Sequence, residues 1–265
     1  MEAQKKYPFA DRKHNNLFNE HIVFHLCILL FFVILLYLAG CKKDTSVFPD
    51  GPPNNFLSDK YYKKLIVEIQ CVQGSQPTSQ TINNLTAFLQ QRLNKSEGIT
   101  IVTETINSPG KASYSLDDVV SIEQAYRTQH TQGNTLTAYV LFVDKDYSSN
   151  PSNGKVLGMA YSETAMVIFE KTISDYSGGL GQPTRDVLES AVSEHEFGHV
   201  FGLVNNGTRM IKNHQDAANG KHCNNTNCLM YYNTETSDIV ANLLGGNIPA
   251  FDSNCLNDLR GNGGK

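Results

Sequence analysis

Stretches of apolar residues with strand-like spacing recur between residues 64 and 169. Residues 64–72 alternate between apolar and polar side chains, as in a strand with one buried face. Residues 99–106 are rich in β-branched side chains, which favour extended backbone. Residues 136–143 (LTAYVLFV) are almost continuously apolar, which is typical of a central strand covered on both faces. Residues 156–161 and 164–169 are two further strand candidates.

Segments with helical spacing separate these strands. Residues 79–94 carry apolar side chains at helical intervals, and Thr78 or Ser79 is placed to cap them. A second helix is predicted from 115–118 (SLDD) onward, with apolar positions through Ala125. A longer helix is predicted over 184–203, and a short C-terminal helix near 236–244.

This order of elements predicts an α/β (α+β) fold with one sheet and right-handed crossovers. The helix over 184–203 is expected to pack beneath the sheet. Beyond Gly202 the periodicity weakens, and Asn, Gly and Thr dominate. We therefore expect an ordered upper part, an irregular C-terminal part, and a cleft between them.

The first forty residues have the pattern of an export signal. A polar stretch with basic residues precedes an apolar run over 22–39 (IVFHLCILLFFVILLYLA). The run ends in Leu38-Ala39-Gly40-Cys41, which resembles the lipobox of bacterial lipoproteins. That resemblance implies cleavage of 1–40 and lipidation of Cys41, and Lys42 favours the outer membrane. The alternative is an uncleaved anchor helix, because about 18 apolar residues just span a bilayer.

The signal determines the predicted domain organisation. Residues 41–59 are rich in Pro, Asp, Asn and Ser, which is typical of a flexible tether. Residues 60–265 are predicted to form one domain, exported and held at the cell envelope by the lipid. The formal charge of −4 is mild and no basic patch is present, which argues against a nucleic-acid partner. Nothing in the sequence indicates an oligomeric state.

Cysteine usage fits an exported protein. Apart from Cys27 in the signal and Cys41, the chain has four cysteines, and an oxidising compartment favours disulfides among them. Three pairings are possible. Cys223 and Cys228 are close enough in sequence for a local disulfide, which leaves Cys71 with Cys255. The alternative is a second metal site built from these thiols, which no CxxC pair supports.

The segment 195–203 (HEFGHVFGL) contains the most informative motif. On a helix His195 and His199 project from one face, as two ligands of a tetrahedral zinc site require. Glu196 beside them is placed to act as general base toward a zinc-activated water. The cofactor predicted from this motif is Zn²⁺. The long form HExxHxxGxxH has its third His where this chain has Asn205.

The segment 222–231 (HCNNTNCLMY) bears on the third ligand, for which His214, His222 and, weakly, Asn205 are candidates. Here the chain resembles metzincin metalloproteases, whose matrix metalloproteinases combine HEFGHxxGLxH with HSxxxxALMY and whose archaemetzincins have HCxxxxCxM. In both, the Met of a tight turn stands eight residues after the third zinc His. That register implies His222 as the third ligand, with Met230 in the turn and an insertion between 205 and 222. His214 remains the alternative.

Two departures from the metzincin pattern stand out: the long motif is interrupted, and the CxxC that archaemetzincins carry after the Met is absent. The resemblance implies a metzincin-like fold, with a twisted mixed sheet, two backing helices, an active-site helix, and a C-terminal part holding the Met-turn and a terminal helix. Met230 would form an apolar floor beneath the histidines, or simply be a core residue. Tyr232 stands at the offset where astacins and serralysins place a Tyr beside zinc, so it would donate to an oxyanion or be a buried aromatic.

The expected function is that of a membrane-anchored zinc endopeptidase acting on protein or peptide substrates. The strand over 156–161 would then line the cleft, where an extended peptide can pair with it, or it is an ordinary edge strand. One alternative is a gluzincin-type hydrolase that takes its third ligand as a Glu from 233–238. Another is a surface binding lipoprotein that contains zinc but lacks catalysis. Glu196 argues against the latter, since a structural zinc site needs no base.

Overall fold

Five strands form one mixed sheet in the order β2-β1-β3-β5-β4. The computed structural model describes residues 54–152 and 154–265. The strands are β1 (Lys64–Val72), β2 (Ile99–Ile106), β3 (Thr135–Val143), β4 (Gly158–Ala160) and β5 (Ala165–Phe169). β4, at one edge, runs antiparallel to β5, while the other neighbours are parallel. The mixed α/β class predicted from the sequence is confirmed.

Six α-helices surround the sheet in the described residues: α1 (Asn54–Leu57), α2 (Ser79–Arg92), α3 (Leu116–Tyr126), α4 (Glu170–Asp175), α5 (Arg185–Val200) and α6 (Ser253–Gly261). Two 3₁₀ helices, Tyr232–Glu235 and Ser237–Leu243, follow the motif helix. Side-chain hydrogen bonds to the backbone fix where α2 and α3 begin. Thr78 caps α2 through its hydroxyl, and Ser115 forms a reciprocal capping box with Asp118 at the start of α3.

Apolar side chains cover both faces of the sheet. On one face Val67 and Val140 belong to a core shared with α2 and α5. On the other, Tyr139 and Leu141 pack with α3 residues such as Ile122. β3 is therefore buried on both sides, as its continuous apolar sequence predicts. This packing fixes α5 beneath β4 and β5, where it presents the HExxH motif.

The structure differs from the sequence prediction at three places. Residues near 236–244 form the second 3₁₀ helix, and the terminal α-helix is α6, further along the chain. The strand expected over 156–161 is confined to β4. The tether expected over 41–59 overlaps α1, whose Phe56 and Leu57 are buried in the core. Lys95 fastens this segment by donating to the carbonyls of Asn55, Ser58 and Tyr62.

The predicted export signal, residues 1–40, and the predicted lipidation site Cys41 lie outside the described residues. Within the part that is described, no helix combines the length and apolar character needed to cross a bilayer.

Candidate metal centre

Helix α5 brings His195, Glu196 and His199 to one end of the sheet. The Nε2 atoms of the two histidines lie 3.1 Å apart. His195 is fully buried, and its Nδ1 lies 2.6 Å from the carbonyl oxygen of Leu229. Because a carbonyl only accepts, Nδ1 carries the proton and Nε2 keeps its lone pair in the neutral ring. The ring is therefore oriented as a metal ligand requires.

The chain leaves α5 through a turn that directs Asn205 away from the histidines. Gly202 has φ 72°, and Val204 and Asn205 follow at φ 53° and 62°, in the left-handed region. The side-chain amide of Asn205 donates to Gln215 at 3.2 Å. The position that holds the third His in the long motif is thus used for a turn.

His222 supplies the third imidazole. Its ring centroid lies 5.3 Å from that of His195 and 4.9 Å from that of His199. Its Nδ1 lies 2.5 Å from the carbonyl oxygen of Asn219, so Nε2 again keeps the lone pair. This Nε2 is buried and lies 3.4 Å from a carboxylate oxygen of Glu235. The structure therefore brings together the three histidines that the sequence singled out as ligands.

Met230 lies directly beneath the motif helix. A Cβ atom added to Gly198 would stand 2.2 Å from the Met230 sulfur and 3.2 Å from the Phe251 ring, so only glycine allows this approach. The Met230 carbonyl accepts from the Cys223 amide at 2.7 Å, which ties the Met segment to the residue after His222. Met230 is fully buried, as both interpretations of this residue require.

Glu196 is held by the edge strand. Its Oε2 accepts from the Ala160 amide at 2.6 Å, while its Oε1 is buried without a hydrogen-bond partner. Gly158 makes this approach possible, since a Cβ there would stand 2.6 Å from Val192 and 3.1 Å from Glu196 Cγ. Burial, and then the charge of Glu235, raise the pKa of Glu196 well above its ordinary value. The carboxylate is thus anchored at one oxygen and free at the other.

Glu235 completes the cluster. Its Oε2 lies 3.4 Å from Nε2 of His222, 3.9 Å from that of His199 and 4.0 Å from that of His195. In the sequence Glu235 is the Glu of the 233–238 segment, which the gluzincin-type alternative takes as its ligand source. No local motif marks its position, because a turn and a backbone pairing to residues before β4 place it there.

Burial keeps the motif histidines neutral. It lowers the pKa of His195 to about 4 and the pKa of His199 well below its ordinary value. Burial also acts on His222, but there the nearby Glu235 carboxylate outweighs it and raises the pKa. Neutral imidazole is the form that binds a metal.

These donor atoms fit a zinc ion. Ligands about 2.0–2.1 Å from a tetrahedral zinc lie about 3.3 Å from each other. The two motif nitrogens are 3.1 Å apart and Nε2 of His222 is 3.4 Å from Glu235 Oε2, both close to that value, while this oxygen lies 3.9 and 4.0 Å from the other two nitrogens.

Tyr232 does not contact the three histidines, as a donor to an oxyanion at the metal would. It begins the 3₁₀ helix Tyr232–Glu235, and its ring packs against that of Tyr231 with centroids 4.7 Å apart. The contacts described for its side chain are with Tyr231 and not with the three histidines.

A second cluster of metal-binding side chains lies next to the first and contains His214. Its Nε2 donates to Asp258 at 2.8 Å, and its Nδ1 lies 3.3 Å from the Cys223 sulfur and 3.9 Å from the Cys255 sulfur. The Cys228 sulfur lies 3.6 Å from that of Cys255. His214, the alternative third ligand, is therefore placed in a second group of possible metal ligands, His214, Cys223, Asp252 and Cys255, which together with the adjacent Cys228 is called the thiol cluster.

The four described cysteines are free thiols, so neither disulfide pairing weighed from the sequence is formed. Cys71 is buried in β1, whereas α6 places Cys255 beside Cys228. The amides of Met230 and Asp252 also donate to the Cys228 sulfur, at 3.4 and 3.3 Å. Cys255 is close to Cys228 because of where α6 packs in the fold, which the spacing of the cysteines in the sequence does not predict.

Hydrogen bonds from its two neighbouring thiols lower the pKa of Cys223, and Cys223 in turn raises the pKa values of Cys228 and Cys255. The Cys223 sulfur would thus carry a negative charge next to two neutral thiols. A bound cation would stabilise that charge.

Comparison with known proteins identifies the fold. No protein-family model matches the chain, and no curated protein sequence is similar to it. The archaemetzincin of Methanopyrus kandleri superposes with a TM-score of 0.52 at 14% identity, over 76% of this chain and 96% of that one. Metalloproteinase-II from Bacteroides fragilis gives a TM-score of 0.41 at 15% identity. That alignment covers 76% of this chain but 53% of the other, so it adds nothing to the fold assignment. The chain thus shares the archaemetzincin fold.

Proposed function

We propose that this protein is a zinc-dependent endopeptidase. The observation that carries the proposal is the convergence of three imidazole Nε2 atoms beside a carboxylate that has one anchored and one free oxygen. An HExxH helix with this arrangement is the constellation of metal-dependent peptide hydrolysis. The archaemetzincin named above has the same fold, which is consistent with the proposal.

His195, His199 and His222 would hold the metal. Bound there, zinc supplies a Lewis acid that polarises the scissile carbonyl and lowers the pKa of the attacking water. Glu196 receives the proton at Oε1 while the Ala160 amide holds Oε2 in place. From Oε1 the proton would then pass to the leaving amine, so that one carboxylate acts first as base and then as acid.

The edge strand β4 supports an extended polypeptide as the substrate. β4 lies at the end of the sheet, and Met159 and Ala160 on it are only half-buried. An extended polypeptide can pair with such an edge through main-chain hydrogen bonds. A cleft lined by residues 160–163 and His199 adjoins this strand. Unfolded protein or flexible peptides are therefore the proposed substrates.

The test compares wild type with Glu196→Gln for zinc content and for cleavage of a denatured protein, with and without a chelator. The variant should retain zinc and lose at least about 10²-fold in turnover, because general-base catalysis contributes that much. Glu104→Gln, exposed on the opposite edge strand, is the matched control and should behave as wild type. Zinc binding without cleavage by wild type would instead favour the binding-lipoprotein alternative.

We infer a second, structural zinc at the thiol cluster. Tetrahedral zinc with bonds of about 2.3 Å to sulfur and 2.0 Å to nitrogen separates its ligands by about 3.5–3.8 Å. The measured separations are 3.3, 3.6 and 3.9 Å. Asp258 orients His214 as a metal-bound His requires. Metal analysis should give two zinc ions per chain, falling to one in Cys255→Ser and staying at two in Cys71→Ser.

Export and lipid attachment at Cys41 are also proposed, from the lipobox-like 38–41 segment. Full-length protein expressed in a Gram-negative host should incorporate a labelled fatty acid and fractionate with membranes. Cys41→Ser should do neither, whereas Cys27→Ser should do both. Persistence of the Cys41→Ser protein in membranes would support an uncleaved anchor helix instead.

A further inference from the structure

We propose that Glu235 is a fourth ligand, which closes the histidine centre in the resting protein and restrains its activity. The proposal rests on the function proposed above, since it requires a metal at His195, His199 and His222. Those three histidines leave one tetrahedral position vacant, and a hydrolase needs that position open. The carboxylate of Glu235 lies at that position.

The distances suit direct coordination. Glu235 Oε2 lies 3.4–4.0 Å from each of the three Nε2 atoms, so a cation equidistant from the nitrogens also meets this oxygen. The described ion pairs of Glu235 are all with these histidines.

The two carboxylates of the site are held in different ways. Glu196 is fastened to the sheet edge through its side chain, at the Ala160 amide. Glu235 is fastened through its backbone: its carbonyl accepts from the Leu157 amide at 2.9 Å, and the next residue, Thr236, bridges to Val156. Its side chain remains free to rotate about a fixed backbone.

That freedom makes closure reversible. The Glu235 side chain keeps 33% of its surface exposed, so it can rotate into solvent without disturbing the core. With Glu235 bound, the site has the four protein ligands typical of a structural zinc. With Glu235 rotated away, it has three and an open position. Glu235, which follows Met230 in the chain, would therefore restrain the activity of the histidine centre without a separate inhibitory segment.

The test uses the cobalt-substituted protein, whose visible spectrum reports coordination, and compares wild type with Glu235→Ala and with the size-matched Glu235→Gln. In wild type the spectrum should not respond to added azide, because no position is open. In Glu235→Ala the spectrum should change and respond to azide, and affinity for zinc should fall at least about tenfold, as expected on loss of a ligand. Asp238→Asn, exposed on the following 3₁₀ helix, is the control and should match wild type.

Cleavage of a denatured protein is the second measurement. Glu235→Ala at saturating zinc should cleave several-fold faster than wild type. A wild-type spectrum and affinity in Glu235→Ala would overturn the proposal, and so would slower cleavage in that variant. Loss of metal in Glu235→Ala but not in His222→Ala would overturn it too, in favour of the gluzincin-type alternative. If no variant cleaves anything, the peptidase proposal fails, while the spectra still decide whether Glu235 is a ligand.

Discussion

Substituting Gly158 by alanine tests whether the edge strand positions the carboxylate of Glu196, the proposed general base. The new Cβ would stand 2.6 Å from Val192 Cγ1, whereas carbon atoms normally approach to about 3.5–4.0 Å. Val192 is β-branched and on a helix, so its side chain has one strongly preferred rotamer and cannot swing aside. The strand must therefore move by about 1 Å, which stretches the 2.6 Å bond from Ala160 to Glu196.

The expected cost is about 1–3 kcal/mol of stability, the usual range for overpacking, or several degrees in Tm. Activity should fall by about 10²-fold, because a displacement of 1 Å at a catalytic group has that effect. Zinc content should not change, since the imidazole contacts do not involve Gly158. The assays are thermal unfolding, metal analysis and kcat/KM on a peptide.

A second substitution makes this prediction specific. Val192→Ala removes the 2.6 Å clash but leaves the 3.1 Å contact with Glu196 Cγ, so the double variant should recover part of the activity and show strong non-additivity in a double-mutant cycle. Gly154→Ala, where the nearest atom to the new Cβ is Ser237 Oγ at 3.7 Å, should be close to wild type. Wild-type kcat/KM in Gly158→Ala would refute the role given to the edge strand.

Three further predictions concern the polar side chains of Glu170, Asp258 and Ser115. Burial raises the pKa of Glu170 to about 9, so the contribution of this residue to stability should be fully present below pH about 4.5 and decline as pH rises towards 9, by at most about 1.4 kcal/mol per pH unit. Chemical denaturation of Glu170→Gln should show this decline flattened, and an unchanged profile would contradict the assignment. Asp258→Asn should weaken zinc binding at the thiol cluster about 10–100-fold in a chelator competition, and equal affinity would argue against its role in orienting His214. Ser115→Ala should cost about 1 kcal/mol in urea unfolding through loss of the capping box, and a cost near zero would show the cap to be unimportant.

Local patterns in the sequence predict the elements that local chemistry determines. β1 and β2 have the predicted bounds, and α5 lies within the predicted 184–203. By contrast α6 (SNCLNDLRG) is rich in residues with low helix propensity. It forms because Asp252 caps it and because Cys255 and Leu259 are buried. Its stability therefore comes from tertiary contacts that the sequence pattern does not reveal.

In the candidate site, too, some residues are placed by local spacing in the sequence and others by long-range contacts. His195, Glu196 and His199 share one helix, so their spacing alone predicts their proximity. His214 is different, because its partner Asp258 lies 44 positions along the chain, and only the fold assigns it to the thiol cluster. The proximity of Glu235 likewise depends on the bridge between Val156 and Thr236. Residues placed by such long-range pairings were beyond what spacing could predict.

The neighbours His222 and Cys223 face different clusters, the histidine centre and the thiol cluster. A peptide bond joins them, so ordering one side chain restricts the other. An ion bound by the proposed thiol site would fix the backbone that presents His222, and so would reduce the conformational entropy lost when a second ion binds the histidines. By linkage the effect would be mutual, with each ion strengthening the binding of the other. The two proposed centres would then form one thermodynamic unit, in which a chelator strong enough to empty the thiol cluster also weakens metal binding at the histidine centre.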